Sequence, residues 1–123
     1  MNPYHTYETH AILWAAGSDY SVTPLPARFG LWATVERETA KGVYGKQPFG
    51  TSEAVDVHTA LRSYTAWAAQ QLFLESKIGS IEPGKEADIA VWDKDMYTIP
   101  GEDLQNLKCV MTIYNGQVVF ALN

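Results

Sequence analysis

The stretch CVMTIYNGQVVFAL, residues 109–122, contains the clearest local signal in the chain. Two runs rich in β-branched and aromatic side chains, which favour strands, flank the dipeptide Asn115-Gly116. A two-residue type I′ turn needs positive φ at both central positions, and Asn followed by Gly meets that need. The sequence therefore predicts an antiparallel hairpin over residues 109–121 that turns at Asn115-Gly116.

A turn and a further strand precede this hairpin. EPGK, residues 82–85, has Pro and Gly at the central positions of a turn, which suits type II. ADIAVWD, residues 87–93, then alternates in the manner of a strand with two different faces. A short helical turn is expected over 103–107. Together these segments predict a small antiparallel β unit towards the end of the chain.

The middle of the chain is predicted to be helical. RFGLWATVERETAK, residues 28–41, carries apolar side chains at three- to four-residue spacing, with Arg37 turned outward. Asp56 is a candidate N-cap for the next helix, which reaches residue 64. Thr65 is a candidate cap for another helix over 66–75. Two or three helices are thus expected before the β unit.

The segment AILWAAGS, residues 11–18, is apolar on both faces and ends in turn residues. This pattern favours a strand buried on both sides. No other segment offers it a strong parallel partner, so its backbone groups would be left unpaired. The chain has 123 residues, whereas a complete (β/α)₈ barrel takes roughly 200–250. The segment therefore indicates a fragment of a larger sheet or barrel.

Composition limits the class of function. Hydrophobic residues make up 46% and charged residues 19%, which is typical of a globular protein. The net charge is −5 and the basic residues are scattered, so neither nucleic acid nor an anionic membrane surface is an expected partner. The opening MNPYHTYETH has no signal-peptide pattern, and a cytoplasmic location is expected. Cys109 is the one cysteine, which excludes an intrachain disulfide and favours a structural thiol.

Asp19 is the main candidate for chemistry, because it ends the apolar segment 11–18. Enzymes with parallel sheets place ligands and bases at such strand ends. An Asp that only caps the following turn is the other interpretation that the residues allow. His5 and His10 are five residues apart, a spacing that matches neither face of a helix nor of a strand, and His58 suits a solvated surface position.

Several stretches, taken in order, make the chain resemble the carboxyl-terminal part of amidohydrolase-superfamily enzymes, in the branch called amidohydrolase family three. The match covers most of the chain. The segment around GSD and the following ERET helix is specific to this branch, while IGSIEPGKEADIAVWD is shared across the superfamily. The matching stretches are GSDYSVTPLPARFGLWATVERET (17–39), ALRSYTAWAA (60–69), LESKIGSIEPGKEADIAVWDKD (74–95) and VMTIYNGQVVF (110–120).

The resemblance implies an α+β fold class: the C-terminal fragment of an amidohydrolase (β/α)₈ barrel, with two or three helices followed by a small antiparallel β unit and its C-terminal hairpin. Residues 1–75 would be the remnant of the barrel end and 76–123 part of the accessory β unit, in one compact unit overall. It also implies that Asp19 is the carboxylate that binds a divalent metal, zinc being expected, and takes a proton from the attacking water. Asp88 and Asp93 would be structural.

The chain departs from the family pattern in its other metal ligands. It has no His-x-His and no counterpart of the mid-barrel ligand or of the two later histidines, and Ser21 stands where some members have proline. Since a metal site needs three or four protein ligands, we expect no metal to be held stably by this chain alone. The family's substrates imply a hydrolase of amide or N-acyl C–N bonds, with the isolated chain catalytically incomplete.

Two other hypotheses stay open. One is a non-catalytic module that oligomerises or binds a partner; the other is a small metalloprotein that uses His5, His10 and Asp19. The expected partner is a second copy of the chain or the missing amino-terminal barrel portion. Because a strand over 11–18 would leave apolar side chains exposed, the chain is not expected to be a stable monomer. The alternative is that this segment gives up the strand and joins a helix or loop.

Overall fold

The chain folds into short helices followed by a three-stranded sheet, in a computed structural model that describes residues 2–39 and 47–122. The elements are α1 (Tyr4–Thr9), α2 (Ala27–Glu36), a 3₁₀ turn (Thr51–Glu53), α3 (Val57–Tyr64), α4 (Ala66–Gln71), β1 (Ile89–Trp92), a 3₁₀ helix (Gly101–Asn106), β2 (Cys109–Tyr114) and β3 (Gln117–Ala121). This order of helices before an antiparallel unit confirms the predicted α+β class.

The sheet follows the predicted hairpin. Its strands lie in the order β1-β2-β3, and both neighbouring pairs are antiparallel. Asn115 and Gly116 have φ of 48° and 76°, as a type I′ turn requires. The expected type II turn is also present, because Gly84 has φ of 93° and the Lys85 N–H donates to the Glu82 carbonyl at 3.2 Å. The residues at the two turns thus account for the path of the chain through the β unit.

The predicted strand over residues 11–18 was wrong, since this segment has no strand pairing in the structure. A strand needs a neighbouring backbone, and the part of the chain that the structure describes supplies none beside it. Side chains hold the segment instead: the Trp14 ring stacks on Tyr4 at 4.3 Å and meets the edge of Trp67 at 5.8 Å. Its Ala16 N–H donates to the Ser63 carbonyl at 3.0 Å.

The helix predicted over 28–41 is shorter than expected, because α2 ends at Glu36. Arg37 follows in the left-handed conformation, with φ of 59°. Its predicted outward orientation was wrong: the side chain is 4% exposed, and its Nε and Nη2 donate to the carbonyls of Gly50 and Asn2 at 3.2 and 3.1 Å. Residues 40 and 41 of the predicted helix lie outside the described residues.

The helix predicted to begin after Asp56 is confirmed. The Asp56 carboxylate accepts a hydrogen bond from the Thr59 N–H at 2.7 Å, as an N-cap should. Helix α4 is shorter than predicted and ends at Gln71. Its expected cap does not form, because the Thr65 hydroxyl donates back to the Leu61 carbonyl at 2.7 Å.

One hydrophobic core joins the helices to the segment that precedes β2. Helix α2 lies against the 3₁₀ helix 101–106, and the Arg28 Nε donates to the Gln105 carbonyl at 3.0 Å. The buried core residues are Leu31, Trp32, Val55, Ala60, Met96, Leu104 and Leu107. No helix among the described residues is both long and apolar enough to cross a bilayer. The boundary at residue 75 stays a prediction.

Candidate functional site

Asp19 lies on an exposed loop that links the segment 11–18 to α2. The loop is held by its own backbone: the Val22 N–H donates to the Asp19 carbonyl at 2.7 Å, and the Thr23 N–H donates to the Ser18 carbonyl at 3.2 Å. The Thr23 hydroxyl donates to the same Ser18 carbonyl. Asp19 itself has φ of 46°, a left-handed conformation that Asp tolerates better than most residues. The loop is therefore fixed while the Asp19 side chain is accessible.

A cavity of about 270 Å³ lies against this loop. Gly17 and Thr23 line it from the loop region, Thr34 from α2, Arg37 from the position after α2, and Tyr64 from α3. Burial, together with the nearby Tyr4, raises the pKa of Tyr64. Thr23, Thr34 and Tyr64 thus bring polar groups to this cavity, and Asp19 is not among its lining residues.

The other two aspartates that the resemblance called structural are held by backbone donors of the β unit. The Asn115 N–H donates to Asp88 Oδ1 at 2.8 Å, which ties the hairpin turn to the residue before β1. The Lys108 N–H donates to Asp93 Oδ1 at 2.9 Å. These contacts give both carboxylates a role in positioning strands.

His5 lies on α1, His10 directly follows that helix, and His58 lies on α3. The contacts of His5 and His10 are local, whereas the His58 ring lies 6.4 Å from the Tyr97 ring. His5 Nδ1 is 3.8 Å from Glu8 Oε2, and His10 Nδ1 lies 2.9 Å from the Thr6 carbonyl oxygen. The exposed His58 is in the first turn of α3. Across residues 2–39 and 47–122, no three His, Cys, Asp or Glu side chains form a group that could hold a metal ion.

The His, Cys, Asp and Glu side chains of the described residues therefore do not form a complete metal site by themselves. Asp19 supplies one carboxylate, and a protein zinc site needs three or four ligands. The small metalloprotein that would use His5, His10 and Asp19 has no support in the described residues. Any metal near Asp19 would need donors beyond those that residues 2–39 and 47–122 bring together.

The sequence interpretation missed a polar cluster between α1 and the residues that precede α3. Both carboxylate oxygens of Glu53 accept hydrogen bonds from Thr6, one from its N–H at 2.9 Å and one from its hydroxyl at 2.7 Å. These bonds lower the pKa of Glu53. The buried Arg37 guanidinium lies 5.2 Å from the centre of the Tyr4 ring. The contacts join residues more than thirty positions apart, so no local spacing could have indicated them.

Comparisons with known proteins cover nearly the whole chain. Residues 1–120 match the model of the Amidohydrolase family. The Bacillus subtilis protein YtcJ is 30% identical over 117 residues, which are 95% of this chain and 22% of that protein. The N-substituted formamide deformylase of Arthrobacter pascens is 36% identical over 86 residues, 70% of this chain and 15% of the deformylase. The chain thus spans about a fifth or less of the length of these relatives.

A solved structure shows the same fold. The crystal structure of an amidohydrolase from Thermotoga maritima superposes with a TM-score of 0.69 over 96% of this chain and 25% of the other, at 24% identity. The helices and the three-stranded sheet therefore correspond to about a quarter of a larger molecule.

Proposed function

The chain belongs to the Amidohydrolase family, and from this premise we propose that it forms the carboxyl-terminal part of a metal-dependent hydrolase of non-peptide C–N bonds. The observation that carries the proposal is the family match over residues 1–120, which includes the exposed loop of Asp19. The deformylase among the relatives supports amide or N-acyl compounds as the substrate class.

Within this proposal Asp19 is the residue that the chain contributes to the reaction centre, as a metal ligand and proton acceptor. Two features of the loop support this role. The backbone hydrogen bonds of residues 18–23 fix the position of Asp19, and its side chain is exposed, so it can meet groups from another segment. Zinc is the metal that we propose for the complete site, with its remaining donors outside this chain.

The isolated chain is proposed to be catalytically incomplete, because one carboxylate cannot assemble a site that needs three or four ligands. The test is hydrolysis of N-formyl and N-acetyl amines by the purified chain, with and without added zinc. We expect no turnover above buffer, and the same null result for Asp19→Asn. Zinc-dependent turnover that Asp19→Asn abolishes would show that the chain is complete.

Exposed apolar side chains favour a second candidate function, a non-catalytic module that oligomerises or binds a partner. Ile12 and Leu13 are 51% and 52% exposed, and Phe73 is 88% exposed. Addition of the matching amino-terminal portion of a relative separates the two functions: activity that appears on mixing supports the hydrolase, and self-association without any activity supports the module.

We also propose a cytoplasmic setting for the hydrolase. A chain with a single cysteine, Cys109, needs no oxidising compartment for its stability. Fractionation of cells that express the tagged protein from its natural gene tests the location. Recovery with the periplasmic or secreted proteins would contradict the proposal.

A further inference from the structure

The two peptide units on either side of the Asp19 Cα are each held by a hydrogen bond. The unit before Asp19 carries the Ser18 carbonyl, which accepts from both the N–H and the hydroxyl of Thr23. The unit after it carries the Asp19 carbonyl, which accepts from the Val22 N–H at 2.7 Å. Because φ and ψ are the rotations of these two units about the Cα, the hydrogen bonds together fix the backbone of Asp19.

We propose that the Thr23 hydroxyl positions the Asp19 carboxylate for the reaction, a role that rests on the proposed function of this loop. Across residues 2–39 and 47–122, Thr23 is the one residue whose side chain hydrogen-bonds to the backbone of residues 18–22. Its N–H reaches the Ser18 carbonyl at 3.2 Å, the long end of the range for such a bond. Removal of the hydroxyl should therefore loosen the peptide unit before Asp19.

The backbone of Asp19 depends on this hold, because its φ of 46° lies in the left-handed region. L residues other than glycine disfavour that region. If the Ser18 carbonyl were released, residue 19 could relax to negative φ, and its side chain would then point in a different direction. A carboxylate in a reaction centre has to keep its place to within about 0.5 Å. The bond from Thr23 thus acts on the reaction through the direction of the Asp19 side chain.

The residues around the loop favour a well-directed hydroxyl. Thr23 is β-branched, which restricts χ1, and Pro24 follows it, which restricts its backbone. Before the loop, the Ala16 N–H donates to the Ser63 carbonyl at 3.0 Å and anchors the chain on α3. The bonds to Ser18 and Asp19 join residues of a single loop, so they do not depend on which segments of a larger molecule cover it.

Relaxation of the backbone ¹⁵N nuclei in the purified chain measures the hold on the loop without an enzyme assay. We expect order parameters of about 0.85 at residues 18–22 in the natural sequence and below about 0.6 in Thr23→Val, which keeps the branched side chain and removes the hydroxyl. Thr98→Val is the matched control, because the Thr98 hydroxyl also donates to a backbone carbonyl, that of Asp95 at 3.1 Å. It should leave residues 18–22 unchanged.

Three results would overturn the proposal: a loop that is already mobile in the natural sequence, equal order parameters in Thr23→Val, or equal loosening by Thr98→Val. None of these results depends on hydrolase activity, so the hold on Asp19 is tested independently of the proposed function.

The effect on the reaction is measured in a chimaera in which this chain replaces the carboxyl-terminal portion of the Arthrobacter pascens deformylase. We expect Thr23→Val to lower kcat by about 10–100-fold, the range for a displaced catalytic group, with KM changed by less than about twofold. Thr23→Ser retains the hydroxyl and should keep most of the kcat. Thr98→Val should keep all of it.

Asp19→Asn separates a positioning role from a general effect on folding. Because Thr23 is proposed to act through the Asp19 carboxylate, Thr23→Val should cause no further loss of kcat once that carboxylate is gone. The same fold loss in both backgrounds would make Thr23 merely structural and contradict the proposal. So would an unchanged kcat in Thr23→Val when Asp19→Asn is impaired, whereas full activity in Asp19→Asn would refute the proposed function instead. If the chimaera is inactive, the order parameters decide.

Discussion

Replacement of Gly79 by Ala tests how closely α4 contacts the segment that leads into the sheet. Gly79 has φ of 90°, which L residues rarely adopt, and a Cβ there would lie 2.5 Å from the Ala69 Cβ and 3.1 Å from the Thr65 carbonyl oxygen. Gly84 is the matched control. Its φ is 93°, and a Cβ at that position meets nothing within 4 Å.

Both substitutions carry the energetic cost of positive φ, but only Gly79→Ala adds a steric conflict. Positive φ costs an alanine about 1–2 kcal/mol at either site, and the entropic effect on the unfolded chain is the same. At Gly79 the steric conflict adds about 1–3 kcal/mol, the usual cost of overpacking a close contact. We therefore expect the Gly79→Ala protein to be less stable than the Gly84→Ala protein by about 1–3 kcal/mol, or roughly 4–12 °C in melting temperature.

Urea denaturation followed by circular dichroism measures the free energy of unfolding of both variants. The double variant Gly79→Ala, Ala69→Gly removes one of the two colliding Cβ atoms. Its free energy of unfolding should exceed the value obtained by adding the two single effects. Equal destabilisation by Gly79→Ala and Gly84→Ala, with additive behaviour in the double variant, would refute the described contact between α4 and Gly79.

Three further perturbations test local features. Asp56→Ala removes the cap of α3 and should lower the free energy of unfolding by about 1 kcal/mol, as measured in urea. Gly116→Val should lower the melting temperature, because a β-branched residue resists the φ of 76° in the hairpin turn; an unchanged melting curve would count against the hairpin. Hydrogen bonds from Thr6 lower the pKa of Glu53 in the folded state, so the carboxylate stabilises the fold above its ordinary pKa and that contribution disappears as pH falls through the lowered value. Glu53→Gln should therefore destabilise the protein at pH 7 and lose less stability than the natural sequence below about pH 4.5; parallel pH profiles would contradict this.

The features that the sequence predicted correctly depend on neighbouring residues. The turn at Asn115-Gly116 and the cap at Asp56 each follow from side-chain chemistry within a few positions. The segment 11–18 has the composition of a buried strand, but pairing requires a second backbone that the described residues do not supply. Arg37 is buried because the carbonyls of Asn2 and Gly50 accept its N–H groups. The spacing of apolar residues within a helix cannot predict partners that are so distant in the sequence.

The sequence predicted one residue of the candidate site, Asp19, but not the other groups that would complete it. Residue chemistry alone left Asp19 either a turn residue or a catalytic one, and the family resemblance favoured the second. The structure adds an exposed side chain on a hydrogen-bonded loop whose Thr23 lines a small cavity. The missing ligands could not be found from this chain, because the relatives extend over about four to five times its length.

The proposed role of Asp19 in the reaction centre is tested by the activity of the chimaera in which this chain replaces the carboxyl-terminal portion of the Arthrobacter pascens deformylase. Asp19→Asn keeps the shape of the side chain and suits the left-handed backbone at residue 19, so it changes the carboxylate and little else. Asp103→Asn, in the 3₁₀ helix over residues 101–106, is the control: it makes the same chemical change at a residue with no proposed role in the reaction. We expect deformylase activity in the chimaera and in Asp103→Asn, and a loss of about 10²–10⁴-fold in kcat for Asp19→Asn with the fold intact by circular dichroism. An active chimaera that keeps its full activity with Asp19→Asn would contradict this role.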